Sequence, residues 1–101
     1  MLTINKTVEG KKVTFALAGR LDNTGAPQLE SELKRALERT TELVFDLREL
    51  EYVSSAGLRV LLLAQKQMNL QGRMRLENVP ESVIEILEIT GFTDIFFIVE
   101  G

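Results

Sequence analysis

The chain has 101 residues, 45% of them apolar, with 12 Lys and Arg against 15 Asp and Glu for a net charge of −3. That is enough material for one globular domain, residues 1–101, around one core, and it is too apolar for a disordered segment. The mild acidity argues against nucleic acid, which needs a basic face, and the absence of Cys and His removes disulfides, thiolate chemistry, Ser-His-Asp hydrolysis and the usual metal sites.

Leu2, Ile4 and Val8 share one parity and Val13, Phe15 and Leu17 another, with Glu9-Gly10 between them, so the first elements read as a β-hairpin. Met1 to Lys12 lacks a basic head followed by an apolar block, which argues against a secretory leader and makes the cytoplasm the expected location. Gly19 to Thr24 is a polar break. Pro27 suits the first turn of a helix, and Ala26, Leu29, Leu33, Ala36 and Leu37 then form one apolar stripe opposite Glu30, Glu32, Lys34, Arg35 and Glu38. Leu43 to Leu47 is a short apolar run suited to a strand covered on both faces.

From Leu58 to Leu70 a second helix is expected. Val60, Leu61, Leu62, Leu63 and Ala64 follow one another, so this helix is either more buried than the first or offers part of its surface to a partner. Gly72 stops it, and Met74 and Leu76 alternate with charged residues as a further strand. Pro80 opens a short helix through Val83, Ile84, Leu87 and Glu88 that Gly91 closes, and Ile95 to Val99 reads as a last strand. The order β-β-α-β-α-β-α-β predicts an α/β fold: a mixed sheet of about five strands, with parallel crossovers, covered by three main helices. No run of about 18 apolar residues offers a membrane span. No phosphate loop, dinucleotide fingerprint or nucleophile elbow occurs, so no catalytic residue, metal or cofactor is expected.

The informative stretch is Tyr52-Val53-Ser54-Ser55-Ala56-Gly57-Leu58-Arg59. Two serines precede a helical run, where the first N–H groups of the helix are unpaired and its dipole favours negative charge. A serine there can cap the helix, and a phosphate there is tolerated. Two readings stand side by side: a plain capping pair, or a phosphorylation switch. Asp22 is likewise either a turn and cap residue or part of an interface.

Gly19-Arg20-Leu21-Asp22, Val44-Phe45-Asp46-Leu47 and Val53-Ser54-Ser55-Ala56-Gly57-Leu58 together resemble the STAS domain, and within it the stand-alone anti-sigma factor antagonists of bacteria. The resemblance spans essentially the whole chain, with the Ser-Ser-Ala-Gly-Leu block its specific part. It implies a binding protein rather than an enzyme. The implied partners are an anti-sigma factor that is also a serine kinase, which this chain would bind to free a sigma factor, and a serine phosphatase that resets the cycle. The implied phosphorylation site is Ser55; Ser54, where the family usually carries aspartate, is the second choice. Asp22, Asp46, Ser54, Ser55, Ala56, Gly57 and Arg59 are implied to contact the partner, with Asp22 and Asp46 expected near the same end of the sheet. Free-standing STAS domains also occur as accessory subunits docked on membrane transport complexes, which is the alternative reading.

Overall fold

A computed structural model describes residues 1–99. Its elements are β1 (Leu2–Glu9), β2 (Lys12–Leu21), α1 (Gly25–Ala36), β3 (Glu42–Val53), α2 (Ser55–Gln71), β4 (Arg73–Glu77) and α3 (Glu81–Thr90), with one 3-10 turn at Leu37–Arg39. Leu2–Glu9 and Lys12–Leu21 pair antiparallel, from Leu2 opposite Gly19 to Glu9 opposite Lys12. The two-residue turn needs a positive φ that Gly10 supplies at +64°. β2–β3 and β3–β4 are parallel, so the sheet is mixed, in the order β1-β2-β3-β4.

Alternation decides which face is apolar. Val13, Phe15 and Leu17 on β2, Leu43, Phe45 and Leu47 on β3, and Met74 and Leu76 on β4 point to one side, and all are buried. Leu29, Leu33, Leu58, Leu61, Met68, Val83 and Leu87 from the three helices close the same cluster. The Phe15 and Phe45 rings stack at its centre, 5.8 Å apart. The opposite face is polar, with Asn5 and Thr7 exposed. On it Val44 is nonetheless buried, beside Arg75, which pairs with Glu42 and with Glu77 at 2.6 Å. No helix is long and apolar enough to cross a membrane among the described residues.

Two boundaries differ from the sequence expectation. β3 does not stop at Leu47 but runs on to Val53, and β2 runs through Gly19 to Leu21. The register between them slips twice, between Ala16 and Ala18 and between Gly19 and Arg20, each time with an extra residue on β3. These are β-bulges, and they change the spacing of inward residues from two to three, at Leu47, Leu50 and Val53. A strand of that spacing carries no period-2 signal.

The expected fifth strand is the second difference. Ile95–Val99 meets β4 at a single parallel bridge, Leu76 with Ile98, held by Leu76 N–H to Phe97 O and Val99 N–H to Leu76 O, both 2.9 Å. Among the described residues the sheet therefore has four strands. Ile95 N–H and Phe96 N–H both bond back to Phe92 O, which holds this stretch in a turn rather than an extended strand.

Phe45 is fully buried and stacked at the core, so Phe45→Ala is expected to cost about 3–5 kcal/mol of unfolding free energy, measured by urea denaturation.

Candidate functional site at the ends of β2 and β3

The extended β3 brings Val53 opposite Leu21, the last residue of β2. Ser54 N–H continues the ladder by donating to Leu21 O at 2.8 Å. The chain then turns directly into α2, whose start lies against β2. A Cβ on Gly57 would sit 2.7 Å from both Leu21 Cγ and Leu21 O, so the absence of a side chain permits that approach. The first helix begins at the same edge, at Gly25, four residues after Leu21. Two helix N-termini thus face one shallow cleft, lined by Arg20, Asp22, Asn23, Thr24, Tyr52, Ser54 and Ser55.

The two N-termini are satisfied differently. At α1 the Asp22 carboxylate does the capping: its Oδ1 accepts from Thr24 N–H and Gly25 N–H, both at 3.0 Å, and its carbonyl accepts from Ala26 N–H at 2.8 Å. The Gly25 bond, helped by the Thr24 bond, holds the Asp22 carboxyl below the usual carboxylate range against the opposing effect of desolvation. At α2 the cap is neutral. Ser54, extended at φ −89° and ψ 173°, accepts from Gly57 N–H at 3.2 Å and donates to Asn23 Oδ1 at 3.4 Å.

The adjacent serines are therefore not equivalent. Ser54 is buried, only 9% exposed, and its hydroxyl is committed on both sides. Ser55 is exposed, is the first residue of the helix, and makes no side-chain hydrogen bond among the described residues. Ala56 is half-buried and Gly57 buried behind it. Arg59 is exposed one helical turn on, so it shares the face of Ser55.

Asp22, Ser54, Ser55, Ala56, Gly57 and Arg59 are thus brought to one end of the domain, and Asp46 is not. Because β3 runs to Val53, Asp46 lies in its middle, opposite Ala16 and Glu77. Because the two bulges let the seven steps from Asp46 to Val53 span only the five of β2 from Ala16 to Leu21, it lies about 17 Å back along the strand from Val53 at about 3.3 Å per residue. Its Oδ1 accepts from Arg48 N–H and from Asn78 Nδ2, each at 3.1 Å, which is a local structural role. The expectation that Asp22 and Asp46 share one end of the sheet is corrected accordingly. Conversely, the cleft includes Arg20 and Tyr52, which stand in the quoted motifs but were not among the expected contact residues. They are cross-strand partners, and the Arg20 guanidinium carbon lies 4.3 Å from the centroid of the Tyr52 ring. Their pairing depends on both bulges, so no local pattern announces it. Asn23 was missed too, since its bond to Ser54 spans 31 residues.

The STAS domain family matches residues 3–100, and this chain belongs to that family. A candidate anti-sigma factor antagonist of Bordetella bronchiseptica, BtrV, is 40% identical over 97 residues, covering 94% of this chain and 82% of that protein. The anti-sigma-B factor antagonist of Bacillus subtilis is 35% identical over 80 residues, covering 78% and 73%. Among solved structures, SpoIIAA of Bacillus shares the fold in both its unphosphorylated form (TM-score 0.81, 18% identity, 99% of this chain and 89% of that one) and its phosphorylated form (TM-score 0.74, 17% identity, 99% and 92%).

Two measurements check this geometry. Ser54→Ala removes the α2 cap and is expected to cost roughly 0.5–2 kcal/mol in urea denaturation, whereas Ser55→Ala stays within about 0.5 kcal/mol of the parent. Asp22 has a lowered folded pKa, so its stabilisation is fully present above its unfolded value of about 3.9 and is lost as pH falls through the folded value. Stability profiles against pH should show Asp22→Asn losing that acid-side dependence while retaining an oxygen acceptor for the two N–H groups.

Proposed function

We propose that this protein is an anti-sigma factor antagonist whose partner is a serine-kinase anti-sigma factor, and that phosphorylation of Ser55 ends the interaction. Binding through the cleft and the exposed start of α2 releases a sigma factor. The kinase transfers the γ-phosphoryl group of ATP to the Ser55 hydroxyl oxygen, ADP leaves, and the hydroxyl proton passes to solvent or a kinase base. A serine phosphatase restores the free hydroxyl. The observation that carries this reading is the contrast between the two serines: Ser54 is buried and bonded, Ser55 exposed and unbonded at the first position of a helix. The curated relatives, named as anti-sigma factor antagonists, supply its class.

Physical chemistry supports the acceptor. A phosphate on Ser55 would bring about −1.5 to −2 charges to a helix N-terminus, where the dipole favours them by roughly 0.3–1 kcal/mol. Arg59, one turn on, adds a cation on the same face. The fold therefore has no reason to rearrange. A partner does respond: two unit charges about 5 Å apart repel by on the order of 3 kcal/mol at an effective dielectric of about 20. Weakening a complex roughly 100-fold takes about 2.7 kcal/mol, so one acidic group on the partner near Ser55 suffices. Ser54 contributes differently, by fixing the backbone that presents Ser55. Asp22 and Arg20 border the contact, and Asp46 lies outside it.

With the cognate kinase and ATP, intact-mass measurement is expected to show one added phosphate on the parent chain and on Ser54→Ala, and none on Ser55→Ala, which still binds the kinase. Labelling of Ser55→Ala at the parental rate would remove Ser55 as the acceptor. The phosphorylated protein is expected to bind the kinase roughly 100-fold more weakly, by calorimetry.

A further inference from the structure

All 12 Lys and Arg residues lie between positions 6 and 75. The region that follows, α3 and the segment packed on β4, carries Glu81, Glu85, Glu88 and Asp94 and no cation. Glu81, Ile84, Glu85 and Glu88 are spaced as one stripe of α3, and the three glutamates are exposed. Ile84 and Glu88 also line a groove together with Asn78, Val79, Thr93, Ile98 and Val99. The groove thus mixes four apolar side chains with polar ones, and its α3 side continues into the acidic stripe. Beside it in the chain Ile89 is 85% and Phe97 66% exposed, large apolar side chains left in water.

The charge pattern is unfavourable for the helix on its own. Glu81 and Glu85, and Glu85 and Glu88, are like-charge neighbours on one face, which destabilises a helix. Glu81 suits the N-terminus, but Glu88 stands in the second half of α3, toward the negative end of the dipole, and no basic residue occupies the last turn. No salt bridge within the domain relieves these carboxylates among the described residues. A cationic neighbour from outside would offset all of these terms together.

We propose that this groove is a second docking surface, separate from the serine cleft, and that its occupant is a basic amphipathic segment of a partner protein. The apolar face of that segment covers Ile84, Ile98 and Val99, and its lysines or arginines meet Glu81, Glu85 and Glu88. A second copy of this chain fits poorly, since the α3 surface has no cation of its own to meet another acidic rim. The inference does not depend on the role of Ser55.

The test uses the full chain and a dye-labelled synthetic helix of leucine and lysine at amphipathic spacing, with a leucine–glutamate helix as its counterpart, followed by fluorescence anisotropy. The lysine helix is expected to bind, and to bind less as salt rises; the glutamate helix should not bind. Combined Glu81→Lys, Glu85→Lys and Glu88→Lys should weaken binding at least roughly tenfold, whereas Glu30→Lys and Glu32→Lys on α1 with Glu38→Lys in the turn after it, the same change in net charge, should leave it nearly unchanged. Should the reversed α3 variant fail to fold, the Glu→Gln triple keeps the helix and should weaken binding in the same direction. Ser55→Ala should bind as the parent does. Equal loss in the α1 and α3 variants, equal binding of both helices, no binding at all, or a sedimenting dimer that the α3 variant dissociates would overturn the proposal.

Discussion

The site depends on one close approach: the start of α2 against the last residue of β2. Leu21 and Val53 end the parallel pair side by side, Ser54 N–H adds one more rung to Leu21 O, and Gly57 sits where any Cβ would meet the Leu21 backbone. Without that contact α2 would stand away from the sheet, the Ser54 hydroxyl would lose its geometry toward Asn23, and the cleft between the two helix starts would open. The contact itself requires β3 to be longer than its pairing partner over the same span, which the two bulges provide. A backbone irregularity in mid-sheet is thus what sets the position of an exposed hydroxyl at the sheet edge.

Capping chemistry divides the charge at this edge. Both helices direct the positive ends of their dipoles there, but an ionised carboxylate at Asp22 neutralises α1, while the neutral Ser54 leaves α2 uncompensated. The first N–H groups of α2 and the Arg59 side chain therefore form the part of the edge able to accept an anion on Ser55. The carboxylate is kept at α1, where it is useful as a cap, and a second hydroxyl, Ser54, takes the position next to Ser55. Burial reinforces the division, because Ser54 is buried with its hydroxyl bonded on both sides while Ser55 is exposed.

The sequence revealed most where periodicity was regular. The hairpin and the α1 stripe were legible because their apolar residues recur at two or at three to four positions, and the serine block and the helix after it because of the Ser-Ser-Ala-Gly-Leu motif and the unbroken apolar run from Val60 to Ala64. The second half of β3 was not. Leu47, Leu50 and Val53 recur at threes, a spacing that two bulges impose and that no strand template matches. That single gap displaced Asp46 from mid-strand to strand end in the sequence reading, and with it the reading of its role. It also hid the Arg20–Tyr52 pair, which exists only in the slipped register. The last strand was misjudged for a different reason: Ile95–Val99 is apolar enough, but the turn bonded to Phe92 O leaves it only one bridge to Leu76.

The length of β3 also bears on how far a charge on Ser55 could act. Asn78, which lines the α3 groove, bonds Asp46 in mid-strand, and Asp46 lies about 17 Å along the strand from Val53. The Debye length at physiological ionic strength is about 8 Å, so a phosphate at the cleft is screened to a small fraction of its field before it reaches the groove. With no packing change required at α2, strain would not carry such a modification across the sheet. A phosphate on Ser55 would therefore act first on whatever touches the cleft.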